Sequence, residues 1–145
     1  MRSARHRARQ AALQGLYEWL VAKGEPQRIA LSIAEGSHWA KLDQDFFRAL
    51  WDGVHANAAQ LQAAVEPHLD RAWTEVSPVE RAILLLGAFE LCHRPDIPYR
   101  VAINEAVELG KTFGGTDGHK FVNGVLDKLS FVVRAAERSA PAATS

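Results

Sequence analysis

The sequence contains a single cysteine, Cys92, and no long apolar stretch. One thiol excludes an internal disulfide and a zinc site built on cysteines alone. The longest apolar run has eight residues, Ala82 to Phe89, whereas a helix that spans a bilayer needs about 20. No apolar run of the signal-peptide type follows the N-terminal arginines. We therefore expect a soluble cytoplasmic protein.

The sequence also lacks the residue patterns of the common catalytic and metal sites. The histidines do not recur at the three- to five-residue spacing of a zinc site. Gly110-Lys111-Thr112 resembles the end of a phosphate-binding loop, but that loop needs a glycine where Glu105 stands. We therefore expect a protein that is not an enzyme and that uses neither a metal nor a cofactor.

Alternating strand patterns beside hairpin turns are missing as well, and apolar residues recur at helical spacing almost throughout. A chain of 145 residues predicts one domain. We predict an all-α fold of six or seven helices in two small packed bundles. Residues 1–138 form this domain, with a basic N-terminal arm at 1–10, and 139–145 form a flexible tail.

Glycines, prolines and capping residues predict where the helices begin and end. A first helix ends at Gly24, and a short turn or helix lies around His68 to Trp73. The other expected spans are Pro26–Glu35, Asp43–Glu66, Pro78–Arg94, Pro98–Phe113 and Asp117–Glu137. The clearest start is Ser77-Pro78-Val79-Glu80, which has the pattern of a capping box with proline at the first helical position.

The formal net charge of +0 hides an asymmetry between the first ten residues and the rest. Residues 1–10 contain His6 and no acid, and their four arginines are Arg2, Arg5, Arg7 and Arg9. Between Glu18 and Glu80 the chain has ten acids and only five bases. A basic arm on an acidic body suggests an anionic partner, although charge alone favours the simpler alternative, a solvated and disordered tail. On a helix, Arg2, Arg5 and Arg9 share a face with Leu13 and Leu16.

A second candidate site lies at Phe113–Asn123, where a glycine-rich turn leads into a helix. The first turn of that helix carries Asp117, His119, Lys120 and Phe121, followed by Asn123. Backbone N–H groups, a lysine, an imidazole and an aromatic ring could bind a nucleic acid backbone and stack a base. The simpler alternative is an ordinary helix start, with Asp117 or Thr116 as cap and Phe121 in the core.

Three segments of the chain together resemble the NusB family. They are Ala4–Tyr17, Val79–Leu84 and the stretch from Asp96 to Gly114 with its continuation His119–Lys128. The resemblance covers about residues 2–135. The chain departs from the family pattern at three positions: His6, where another arginine is common, Gly110, where alanine is usual, and Gly118, where serine is common.

The resemblance implies an all-helical, non-catalytic transcription antitermination factor. Its expected partners are the single-stranded boxA element of nascent ribosomal RNA leaders, the small-subunit ribosomal protein NusE and the RNA polymerase antitermination complex. By position, the arginines Arg5, Arg7 and Arg9 would bind the RNA backbone, and the Asp117 turn with Lys120 and Phe121 would complete the RNA surface. Tyr17 and Glu80 would lie towards NusE.

Two other functions fit the same fold. A NusB-like protein-binding scaffold that does not bind RNA is the main alternative, but the four arginines in ten residues oppose it. The NusB-like domain of some RNA cytosine methyltransferases is another, and we expect no room here for the catalytic domain it requires. Trp39 or Trp51 could form a homodimer patch if exposed.

Overall fold

The computed structural model describes residues 3–140, and this part of the chain folds into α-helices joined by short turns. The helices are α1 Ala4–Ala22, α2 Pro26–Ala34, α3 Gln44–Ala56, α4 Ala58–Val65, α5 Pro78–His93, α6 Tyr99–Phe113, α7 Gly118–Val133 and α8 Ala135–Ser139. Three single 3₁₀ turns lie at Trp39–Lys41, Glu66–His68 and Trp73–Glu75. The prediction of an all-α fold is confirmed.

Helix α5 lies at the centre because it is apolar on nearly every side. All its residues from Ala82 to Leu91 are buried. The helix packs against α1, α3 and α4 in the first half of the chain and against α6 and α7 in the second half. A helix buried all round must be surrounded by others, so α5 joins the two helical groups into one hydrophobic core.

Two predicted long helices are each broken, and in both cases a polar side chain explains the break. At Asn57, between α3 and α4, the side-chain amide donates to the Gly53 carbonyl at 2.8 Å and the backbone leaves the helical region (φ −121°, ψ 16°). Such local side-chain bonds compete with the helical ladder. At Arg134, between α7 and α8, the buried guanidinium donates to the carbonyls of Glu90, Leu91 and Arg94, at the end of α5.

The predicted helix starts differ in how they are capped. Ser77 Oγ accepts from the Glu80 N–H at 3.2 Å and donates to Glu80 Oε2 at 2.7 Å, so serine and glutamate cap α5 together. Asp117 occupies the cap position of α7, but its side chain makes no capping hydrogen bond. The alternative in which the Asp117 side chain caps this helix is therefore wrong.

Candidate nucleic-acid interface

The N-terminal arginines lie on α1, which already begins at Ala4 with the side chain of Ser3 capping the His6 N–H at 3.0 Å. Arg2 lies outside the described residues. The other three arginines differ in their surroundings: Arg5 is exposed, Arg7 is half-buried and Arg9 is buried.

The contacts of Arg9 contradict the prediction that this residue binds RNA. Its side chain is only 4 % exposed and its guanidinium forms a fork with Glu90, Nε to Oε2 at 2.9 Å and Nη2 to Oε1 at 2.8 Å. Its Nη1 donates to Glu105 Oε1 at 2.8 Å. The guanidinium is thus engaged inside the protein, where it ties α1 to α5 and α6, and no phosphate can reach it.

His6 completes this group, which we call the Arg9 cluster: His6, Arg9, Glu90 and Glu105. The His6 Nδ1 lies 3.1 Å from Glu105 Oε2, and the His6 side chain is only 4 % exposed. Burial raises the pKa of the Glu90 carboxyl, while the hydrogen-bonded Arg9 guanidinium opposes that rise. The chain departs from the family pattern at His6. This side chain is part of a buried polar contact and does not lie on a binding surface.

Arg5 and Arg7 remain accessible. The Arg5 guanidinium lies over the Phe46 ring at 4.5 Å, and its Nε is 3.8 Å from Asp43 Oδ2. Arg7 makes no side-chain hydrogen bond or ion pair with any residue between 3 and 140. An arginine without an internal partner keeps its full donor set for an external anion.

The glycine turn is held close to α6 by a contact that requires a glycine. A Cβ on Gly110 would lie 2.9 Å from the His119 Cα, so a side chain there would push the start of α7 away. His119 is half-buried against this contact. Asp117 and Lys120 are both exposed, with Lys120 Nζ 3.5 Å from Asp117 Oδ1. The close packing of Gly110 fixes the position from which these polar side chains project.

Phe121 has features of both alternatives, a ring that stacks a base and a ring that packs in the core. Its ring is half-buried and packs against the hydrophobic core, yet it also borders two open pockets of about 420 and 210 Å³. The guanidinium of Arg71 lies over the ring, 4.4 Å from its centroid. Lys120 borders both pockets, and Lys128 borders the smaller one. We call Arg71, Lys120, Phe121 and Lys128 the Phe121 surface.

Glu80 and Tyr17 lie in different surroundings. Glu80 borders the larger pocket together with Asp117 and Phe121, and its Oε1 would be 2.9 Å from a Cβ on Gly118. Tyr17 is 43 % exposed on α1. The residue predicted to contact a protein partner, Glu80, is therefore a direct neighbour of the residues predicted to contact RNA.

Asn123 is exposed on α7, about one turn after Lys120. It borders a separate pocket with Tyr99, Arg100 and Asn104. Sequence reasoning missed Arg71, Lys128 and Arg100 as neighbours of the predicted site. The sequence offers no local signal for Arg71, since it lies 50 residues before Phe121 in a loop between two 3₁₀ turns.

Between residues 3 and 140 the histidine, cysteine and acidic side chains form no group of three that could hold a metal ion. In the same part of the chain, no helix is both long and apolar enough to cross a membrane. Trp51 is 4 % exposed and Trp39 is half-buried. The expectation that Trp51 forms a homodimer patch is therefore wrong, since its ring lies in the core.

Comparison with known sequences gives one family. The sequence model of the NusB family matches residues 6–131. The transcription antitermination protein NusB of Cupriavidus pinatubonensis is 53 % identical over 139 residues, which cover 96 % of this chain and 83 % of that protein. NusB of Nitrosomonas europaea is 49 % identical over 142 residues, covering 98 % of this chain and 85 % of that protein.

Comparison with solved structures gives the same family. T. maritima NusB superimposes with a TM-score of 0.80 at 27 % identity, covering 91 % of this chain and 94 % of that one. A chain from a crystal structure of the antitermination factors NusB and NusE in complex with dsRNA superimposes with a TM-score of 0.76 at 26 % identity. That match covers 87 % of this chain and 95 % of the other.

Proposed function

Since the chain belongs to the NusB family, we propose that it is a non-catalytic transcription antitermination factor that binds RNA together with NusE. The RNA is the single-stranded boxA element of nascent ribosomal RNA leaders. The relative solved with NusE and dsRNA supports NusE and an RNA as partners, because its fold matches this chain over most of its length. The names of the sequence relatives support the antitermination role.

The observation that carries the RNA proposal is the accessibility of the Phe121 ring among cationic groups. Single-stranded RNA is bound by aromatic rings that stack unpaired bases and by basic groups that follow the backbone. Phe121 borders two pockets, with Arg71 over its ring and Lys120 and Lys128 beside it. This combination suits an unpaired strand better than a duplex, whose bases are not accessible for stacking.

Arg5 and Arg7 extend the proposed RNA site along the start of α1. Both are on the N-terminal helix with side chains that are not enclosed by the core. Arg9 contributes in a different way, since its ion pairs with Glu90 and Glu105 fix the helix that carries Arg5 and Arg7. The RNA proposal therefore keeps Arg5 and Arg7 as phosphate contacts and drops Arg9. It also keeps Asp117, His119 and Asn123 as residues of the RNA surface.

The proposed NusE contact uses Tyr17 and Glu80. Tyr17 offers an exposed aromatic ring with a polar tip, a common anchor in protein interfaces. The excess of acids between Glu18 and Glu80 would attract a basic ribosomal protein and accelerate their association. Because Glu80 borders the Phe121 pocket, NusE and RNA would bind side by side there.

Other parts of the proposal are broader. The protein acts in the cytoplasm as part of an RNA polymerase antitermination complex, and residues 1–138 act as one domain with a basic arm and a short tail at 139–145. A homodimer of the free protein is also proposed, on a surface that does not involve Trp51. Sedimentation of the free protein over a range of concentrations tests the homodimer.

A gel-shift titration tests the RNA proposal. The protein, with and without NusE, is titrated into single-stranded boxA RNA, a scrambled strand of the same composition, and boxA annealed to its complement. We expect the tightest binding to the unpaired boxA strand in the presence of NusE. Binding of NusE without binding of any RNA would instead favour the alternative function, a protein-binding scaffold of the NusB fold.

A further inference from the structure

Arg71 lies over one face of the Phe121 ring, the ring to which the RNA proposal assigns stacking. It lies between the 3₁₀ turns Glu66–His68 and Trp73–Glu75, and its side chain is 40 % exposed. Its guanidinium carbon is 4.4 Å from the Phe121 ring centroid. Any base that approaches this face of Phe121 must therefore meet Arg71 first.

A guanidinium held in this way can itself accept a base. The group is planar, weakly hydrated and stacks on aromatic faces, so it can lie between a phenyl ring and a nucleobase. Asp70 orients it, since Arg71 Nε donates to Asp70 Oδ1 at 2.7 Å and Nη2 donates to Asp70 Oδ2 at 3.3 Å. A fork of this kind favours one orientation of the guanidinium plane.

The charged residues around the two pockets that Phe121 borders indicate where a phosphate and a base would lie. The smaller pocket is bordered by Lys120, Lys128 and His68 with one acid, Asp70. The larger pocket is bordered by the acids Asp70, Glu80 and Asp117 with the bases Arg71 and Lys120. Phosphates therefore favour the Lys128 side, which leaves the base to extend over Arg71.

We propose that Arg71 and Phe121 together form a stacking site for one unpaired base of the bound RNA, with the base on the outer face of the Arg71 guanidinium. The phosphate beside that base lies at Lys120 and Lys128. This inference rests on the proposed RNA-binding function and adds a contact residue from a loop far from Phe121 in the sequence.

The test compares Arg71→Ala and Arg71→Lys with Arg48→Ala. Arg48 is the matched control, because it is another exposed arginine whose guanidinium lies over an aromatic ring, 5.5 Å from the centroid of the Trp39 ring system. RNA affinity is measured with NusE present, using boxA strands that carry the fluorescent base 2-aminopurine at one position at a time. Urea unfolding of each variant checks that the fold is retained.

We expect Arg71→Ala to weaken RNA binding by between about 5-fold and 150-fold, the range for losing one stacked base. Arg71→Lys keeps the positive charge but not the planar guanidinium, so its RNA affinity should fall nearly as far as that of Arg71→Ala. One 2-aminopurine position should be quenched by the unaltered protein and by Arg48→Ala, and should lose that quenching in both Arg71 variants.

The proposal is overturned if Arg71→Lys binds as tightly as the unaltered protein, or if Arg71→Ala weakens binding no more than Arg48→Ala does. In either case the proposed function survives, because the unaltered protein still binds boxA RNA. If the unaltered protein binds no RNA in the presence of NusE, the proposed function fails and the stacking site fails with it.

Discussion

The Arg9 cluster and the Phe121 surface both contain an arginine against aromatic and acidic neighbours, yet only one of them is open to solvent. Arg9 lies over the Phe46 ring at 4.9 Å and is paired with two buried or half-buried carboxylates. Arg71 lies over the Phe121 ring at 4.4 Å and is paired with one exposed carboxylate. The residue type is the same, so burial decides which arginine holds the fold and which is available to a ligand.

This contrast predicts its largest effect for Arg9→Ala. The substitution leaves Glu90 buried without its cation, and breaking a buried ion pair in this way costs about 3–5 kcal/mol of the free energy of unfolding. Urea unfolding measures that loss. Arg7→Ala is the matched control on the same helix, and its free energy of unfolding should change by less than about 0.5 kcal/mol. Equal effects of the two substitutions would contradict the division between them.

The next largest effect is expected for Phe121→Ala, which should change both stability and binding. A fully buried phenylalanine costs about 3–5 kcal/mol when truncated, so a half-buried ring should cost roughly half of that. RNA affinity of the folded protein should fall by a further 1–3 kcal/mol or so when one base can no longer stack. Urea unfolding and RNA titration are done on the same preparation. A loss of about 3–5 kcal/mol in the free energy of unfolding, with unchanged RNA affinity, would show that Phe121 acts only as a core residue.

A smaller effect is expected when Arg5 and Arg7 are replaced by alanine together. Stability should change little, because neither side chain is enclosed by the core. RNA binding should weaken, and the slope of log affinity against log salt should shrink by about 0.7 for every phosphate of a single strand that the arginines no longer neutralise. Titrations over a range of salt concentrations give the slope. A slope equal to that of the unaltered protein would show that these arginines do not touch phosphate.

The smallest change in stability is expected for Glu80→Gln. Glutamine keeps a hydrogen-bonding group near Ser77 but carries no charge, so the helix start should survive with a change below about 0.5 kcal/mol. NusE binding should weaken, because an attractive charge is removed. Calorimetric titration with NusE measures this. Unchanged NusE affinity would leave Glu80 with its capping role only.

Helical periodicity and capping residues were sufficient to predict most of the fold. The end of α1 and the spans of α2, α5 and α6 agree with the predictions within one or two residues, because proline, glycine and Ser77 mark them. The breaks at Asn57 and Arg134 were not predicted, because each depends on one polar side chain. The carbonyls that Arg134 binds lie 40 to 44 positions away in the sequence, and no local pattern encodes them.

The site was only partly predictable. Lys120, Phe121 and Asp117 are neighbours in the sequence, so one glycine turn brings them together. The sequence also contained the signal that Arg9 is buried, since it shares a helix face with Leu13 and Leu16, but the cluster of arginines favoured an RNA contact instead. Arg71 could not be found, because its contact with Phe121 joins two distant parts of the chain.

The RNA-binding role of the Phe121 ring is tested most directly by the affinity of Phe121→Leu for single-stranded boxA RNA in the presence of NusE. Leucine keeps an apolar side chain against the core but removes the aromatic face. We predict a free energy of unfolding within about 1.5 kcal/mol of the unaltered protein and an RNA affinity weaker by about 1–3 kcal/mol. RNA affinity equal to that of the unaltered protein, in a variant that folds normally, would contradict the claim that this ring binds RNA.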